Sequence, residues 1–126
     1  MIAGVGLDLV DIARVQRLVA AKGDRALARL FTSAEAAYAA ARPRPFLHLA
    51  ARVAAKEAAF KALSAADGAR GIGWREMEVV AGADGRPALA FHGRAAACAK
   101  MLGVARVHLT LSHSETTAGA VVVLER

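Results

Sequence analysis

"RVAAKEAAFKAL", residues 52–63, decides how the rest of the chain is arranged. Read as a helix at about 100° per residue, it places Leu49, Val53, Phe60 and Leu63 on one stripe. Lys56 lies inside that stripe and Glu57 beside it. Burying an unpaired charge costs on the order of several kcal/mol, so these two must be paired, metal-bound or set at a pocket wall. Glu57 stands four residues before Lys61, the order that favours a helical ion pair, which would account for those two by themselves. It accounts less well for Lys56, and Arg52 one turn earlier extends the row of charge. Four charges within residues 52–61 of an alanine-rich helix read more as a phosphate and metal surface than as a core.

Upstream, "MIAGVGLDLV" alternates, with Val5, Leu7 and Leu9 on one face and Gly4, Gly6 and Asp8 on the other, the pattern of a strand. Asp11 then caps a helix, "IARVQRLVAAKG", which Gly23 ends. A short helix follows, and Thr32 or Ser33 caps another over "TSAEAAYAAA". The two prolines of "RPRP", residues 42–45, break the chain before the decisive helix.

Downstream, "SAADGARGIG" reads as a loop and "WREMEVVA" as a strand. "GADGRP" is a turn centred on Asp84-Gly85, and "ALAFHG" is the returning strand of a hairpin. "RAAACAKML" is a helix closed by Gly103, and "RVHLTLS" and "AGAVVVLE" are strands joined by "HSETT". The sum is an α+β fold, helices packed on one face of a mainly antiparallel sheet.

A chain of 126 residues, 56% of them hydrophobic, fits one domain spanning residues 1–126. Seventeen Lys and Arg against eleven Asp and Glu give a net charge of +6, which favours an acidic partner. Frequent arginine and alanine make part of that basicity compositional. The single Cys98 excludes an internal disulfide framework, and no Cys/His spacing suits zinc, so a reducing cytoplasm is expected. Neither a leader-like start nor an apolar run of membrane-spanning length is present, so no membrane association is expected.

The other candidate features are local. In "GVGLDLV" the third glycine of a dinucleotide fingerprint is replaced by Leu9, and the glycines lie within a strand, which excludes that reading. Two alternatives remain. Either the bare face beside Asp8 admits a ligand or hydrated metal, or Gly4 and Gly6 let a helix pack tightly and Asp8 is only a strand-end polar residue. In "LTLSHSET", Ser112 and His113 end a strand at a hairpin tip, without the glycine elbow of a hydrolase. In the first helix Ile12, Val15 and Val19 form the buried side, while Arg14 and Arg17 project opposite, as a solvated face or a docking surface for an acidic helix.

Taken together, these motifs resemble the holo-acyl-carrier-protein synthase family of 4'-phosphopantetheinyl transferases. "GVGLDLVDIARV", "FTSAEAAYA", "ARVAAKEAAFKAL", "GIGWREMEVV", "DGRPAL" and "LTLSHSETTAGAVVVLE" carry the likeness in order along almost the whole chain. The resemblance implies the fold of that family and transfer of the 4'-phosphopantetheine arm of coenzyme A to a serine of apo acyl carrier protein, with release of adenosine 3',5'-bisphosphate. It implies that Asp8 and Glu57 hold Mg²⁺, an ion suited to a few carboxylates, waters and substrate phosphates. Lys61 would stabilise the phosphate in flight, while Arg52, Lys56, Ser112 and His113 would serve coenzyme A. The base is Glu57 or a metal-bound water oriented by Asp8. Arg14, with Arg17 on the same helix, would face the carrier protein. A homotrimer with active sites between subunits is implied, and the late strands are apolar enough to want covering. Two departures stand out: Val53 occupies a position commonly aromatic, and the loop after the helix lacks a Gly-Thr-Gly.

Two rivals use the same residues. A basic nucleic-acid-binding domain would draw on the arginines, but one Trp, one Tyr and four Phe supply no stacking motif, and Asp8 and Glu57 would stay unexplained. A divalent-metal nucleotide hydrolase would use the carboxylates and release phosphate without any carrier protein.

Overall fold

The computed structural model describes residues 1–126. The first strand, β1 (Ile2–Asp11), leads directly into α1 (Ile12–Leu30), inside which Gly23 leaves the helical region at φ 61°, ψ −143°. The expected stop at Gly23 is therefore a sharp kink, followed by one more short helical stretch. Asp11 occupies the N-cap position, but its side chain makes no capping hydrogen bond.

Thr32 caps α2 (Ser33–Ala40) in a reciprocal arrangement: Glu35 N–H donates to Thr32 Oγ1, and Thr32 N–H donates to Glu35 Oε1. Pro45 then opens α3 (Pro45–Leu63) at a first-turn position, where its missing N–H costs nothing. Short 3₁₀ turns at Ala69–Gly71 and Trp74–Glu76 precede the hairpin β2 (Met77–Ala81) and β3 (Pro87–Phe91), with Gly85 at φ 83° in its turn. Next come α4 (Gly93–Met101), Gly103 at φ 73°, β4 (Arg106–His113) and β5 (Thr117–Glu125).

All strand pairing is antiparallel, but in two sheets: β1-β5-β4 and the β2-β3 hairpin. Helices pack on the inner face of the larger sheet, as the α+β pattern requires. Ala118, Ala120, Val122 and Leu124 of β5 point to that face and are buried. Their partners on β1 in the same register are Val10, Asp8, Gly6 and Gly4.

Gly4 and Gly6 decide how close α3 can come. A Cβ on Gly4 would overlap the Ala62 carbonyl oxygen, and one on Gly6 the Ala58 carbonyl oxygen. The bare strand face is thus filled by the helix backbone, not by a ligand. The tight-packing reading holds for both glycines, and Asp8, two residues on, is the first side chain on that face.

The amphipathic stripe expected for α3 is too narrow a description. Twelve of its nineteen residues are buried, because β1, β5, α1, α2 and β2 all pack around it. A helix apolar nearly all round is an interior helix, and alanines let its neighbours approach from every side.

Lys56 is fully buried within this packing. Its Nζ donates to Glu35 Oε1 at 2.8 Å, to the Trp74 carbonyl at 2.9 Å and to the Met77 carbonyl at 2.8 Å. Glu35, equally enclosed, accepts from Val79 N–H through Oε2. Burial pulls the Lys56 ammonium downward in pKa, and Glu35 opposes that pull. Breaking such a buried pair from one side costs about 3–5 kcal/mol, because the remaining charge is stranded.

Candidate active site

Three of the residues expected to carry chemistry converge where β1 meets α3. Lys61 Nζ, on the open side of α3, donates to Asp8 Oδ1 at 2.9 Å and to the Leu7 carbonyl at 3.0 Å. Asp8 Oδ2 is buried and has no hydrogen-bond partner. Glu57, one turn before Lys61, is half-buried beside Asp8. Burial first, then the adjoining Asp8 carboxylate, push its carboxyl up to about 7, against Arg14 and Lys61, which pull it down. The ion pair that helical spacing suggests between Glu57 and Lys61 gives way to a cross-element pair, Lys61 with Asp8.

The arrangement suits a divalent cation. An orphaned buried carboxylate oxygen and a neighbouring carboxyl held half-protonated near neutral pH are two like charges without sufficient compensation. No third His, Cys, Asp or Glu joins them. Two carboxylates with room for waters and phosphate oxygens fit Mg²⁺, and they do not fit a closed all-protein cage.

The cleft beside these groups has a volume of about 290 Å³ and is walled by Phe60, Ile72, Trp74 and Met77, with Glu57 and Lys61 at its edge. Arg14 acts on Glu57 from α1, so the exposed arginine face of that helix borders the same region; Arg17 lies on that face too.

Arg52, Ser112 and His113 belong elsewhere. They line a second groove of about 360 Å³ together with Tyr38, Leu47 and His48. Five residues separate Arg52 from Glu57, which sets them about 140° apart around α3, so one faces each groove. In the second groove the Tyr38 ring lies between two guanidinium groups, Arg42 at 3.2 Å and Arg52 at 4.1 Å from its centroid. His48 meets the same ring edge-on at 5.6 Å and donates its backbone carbonyl to Arg52 Nη1 as an acceptor at 3.3 Å. Arg52 Nε is buried with no partner. Burial lowers the His48 pKa, and Arg52, Arg42, His113 and Arg44 lower it further. No acidic side chain lines this groove, so it is strongly electropositive.

Lys56 departs from its expected role. Although its stem lies behind the first cleft, its ammonium is turned inward and every one of its protons is used within the chain. A cation with no exposed surface and three internal acceptors is not available to a coenzyme phosphate.

Tyr38, Arg42, His48, Glu35 and Trp74 were not singled out by the sequence pattern. A signal existed for the first three, since Tyr38–Arg42 and His48–Arg52 are both spaced four apart on helical segments, but "RPRP" reads foremost as a break.

The chain matches the 4'-phosphopantetheinyl transferase superfamily over residues 4–118. The chain belongs to this superfamily. It is 50% identical to the holo-acyl-carrier-protein synthase of Anaeromyxobacter sp. (strain K), covering 99% of this chain and 97% of that one. Among solved structures, the holo-acyl-carrier-protein synthase from Neisseria meningitidis superposes with a TM-score of 0.83 at 31% identity over the full length of both chains. That of Bacillus anthracis, in complex with CoA (3',5'-ADP), superposes with a TM-score of 0.76 at 30% identity, covering 98% of this chain and 96% of that one. The phosphopantetheinyl transferase fold and enzyme class follow, and the holo-acyl-carrier-protein synthases are its nearest kind among these relatives. The nucleic-acid-binding and nucleotide-hydrolase readings find no support in these likenesses.

Proposed function

We propose that this transferase moves the 4'-phosphopantetheine group of coenzyme A to a serine of apo acyl carrier protein in a Mg²⁺-dependent reaction. The observation that carries the reading is the Asp8–Glu57–Lys61 constellation on β1 and α3, with its orphaned carboxylate oxygen.

Asp8 and Glu57 would hold Mg²⁺, which supplies charge neutralisation at the coenzyme's pyrophosphate when bound. Lys61, half-exposed and tethered by Asp8, is aimed to donate to a phosphate oxygen as charge develops. The serine oxygen forms a bond to the pantetheine-side phosphorus, and the bond from that phosphorus to the bridging oxygen breaks. Adenosine 3',5'-bisphosphate leaves with the electron pair, and the serine proton passes to a base. Glu57, with a pKa near 7, is suited to accept it. Positioning and electrostatics suffice for the rest of a phosphoryl transfer.

Arg52, Ser112 and His113, with Tyr38 and His48 around them, would receive the nucleotide's phosphate, and Arg14 with Arg17 would meet the acidic carrier. Since Arg52 and Glu57 face different grooves of one chain, a single coenzyme reaches both sets only where two chains meet. That geometry supports a homotrimer with interfacial active sites. Val5, Leu7 and Leu9 support it as well: at 58%, 58% and 68% exposure they form an apolar stripe on the outer face of β1, continued by Val121 and Val123 on β5. The stripe to be covered is on the first strand more than on β4, whose outer face carries His108, Thr110 and Ser112. A cytoplasmic location accords with these substrates, and no helix is long and apolar enough to cross a membrane.

Intact-mass spectrometry of apo acyl carrier protein incubated with the chain, coenzyme A and Mg²⁺ tests the proposal. The expected result is the gain of one phosphopantetheine, abolished by EDTA. No gain across several apo carriers would overturn it.

A further inference from the structure

Lys56 poses a separate question, because the cleft walls beside Glu57 are not attached to α3 by their side chains alone. The segment from Trp74 to Met77 turns over the end of that cleft as a single 3₁₀ turn entering β2. Both ends of this turn present their carbonyl oxygens to one ammonium, Lys56 Nζ, at 2.9 and 2.8 Å. Trp74 and Met77 are also the residues whose side chains wall the cleft opposite Glu57 and Lys61.

We propose that Lys56 is a positioning residue. It fixes the Trp74–Met77 turn against α3 and thereby sets the width of the apolar cleft that receives the substrate's uncharged arm; this rests on the function proposed above. Glu35 anchors the cation from the far side and is itself held by Thr32 N–H and Val79 N–H, so the clamp is tied to α2 and β2. The neighbouring residue in sequence, Glu57, points into the cleft that Lys56 shapes. A shift of the wall relative to Glu57 and Lys61 misaligns the reacting phosphate, and misplacements on the scale of 1 Å cost about a hundredfold in rate.

Trp74 is the sole tryptophan of the chain, so its emission reports the wall directly. Lys56→Met alone strands the Glu35 charge and can prevent folding, whereas Lys56→Met with Glu35→Gln removes both charges together. A Val122→Ala variant in the β5 core, with a similar loss of melting temperature, serves as the stability control. The double variant should fold, show red-shifted Trp74 emission without substrate, and raise KM for coenzyme A about tenfold or more, while Val122→Ala leaves emission and KM near wild type. A lower melting temperature with emission and KM unmoved would reduce Lys56 to a purely structural role. A raised KM with unmoved emission would make it a direct ligand, and either result overturns the proposal. The emission is read in the substrate-free protein, so it judges the clamp even if the wild-type chain transfers nothing.

Discussion

Asp8 engages Lys61 through one carboxylate oxygen, Oδ1 at 2.9 Å, and leaves the other, Oδ2, buried and unpaired. The strand thus holds the helix's cation in place while keeping a free acceptor turned toward Glu57. The same residue serves as tether and as ligand in waiting, which makes its two oxygens separable by mutation.

Asp8→Asn keeps an oxygen for Lys61 but removes the charge. Transfer should fall by about a hundredfold or more, with Mg²⁺ affinity lost and circular dichroism unchanged. Steady-state rates across a Mg²⁺ titration measure this. Rates that recover fully at high Mg²⁺ would show that the charge contributes to binding alone.

Glu57 gives the pH dependence. Its folded-state pKa, about 7, stands above the ordinary carboxyl value of 4.5, so the metal-free protein binds a proton that the unfolded chain has lost. The resulting stability is fully present below pH 4.5 and is lost as pH rises through 7. Divalent-metal binding runs the other way, because it requires the carboxylate. Mg²⁺ affinity should rise as pH climbs through 7, with proton release detectable by calorimetry in buffers of different ionisation enthalpy. Affinity flat from pH 6 to 8 would contradict the assignment.

Gly6→Ala drives a methyl group into the Ala58 carbonyl, a backbone atom that cannot rotate away. A loss of about 3 kcal/mol or more is expected, read from the urea midpoint, together with loss of activity because Asp8 and Glu57 part company.

Arg52 and Glu57 offer a test of shared sites. Arg52→Ala and Glu57→Gln should each be poorly active alone, and a refolded mixture should regain a measurable part of wild-type rate if one chain supplies each groove. A mixture no better than its parts would confine the site to one chain.

Reversing Arg14 to Glu should raise KM for the carrier protein by about tenfold and leave coenzyme A binding unchanged, since an exposed rim charge acts chiefly on encounter and docking. Isothermal titration against coenzyme A alongside carrier kinetics separates the two. Equal losses for both substrates would exclude the docking role.

Much of this was legible from local chemistry. Alternation marked β1, Thr32 and Pro45 marked helix starts, Gly23 and Gly103 marked stops, and Asp84-Gly85 marked the hairpin, because caps and turns depend on a few neighbouring atoms. Asp8, Glu57 and Lys61 stood out for a similar reason: charges within an apolar, small-residue context require an explanation. What local pattern could not supply was direction. Helical periodicity fixes the angles between Arg52, Lys56, Glu57 and Lys61, yet it does not say which neighbours close on each side. Only the packing of α2 and β2 onto α3 turned Lys56 from a surface cation into a buried clamp, and only that packing sent Arg52 and Glu57 to different grooves. The sequence by itself determined the elements, their order and the chemical groups they carry, since these follow from residue type and spacing. The tertiary structure alone decided which groups share a site, because burial, pairing and orphaned lone pairs exist only once distant segments exclude water from one another.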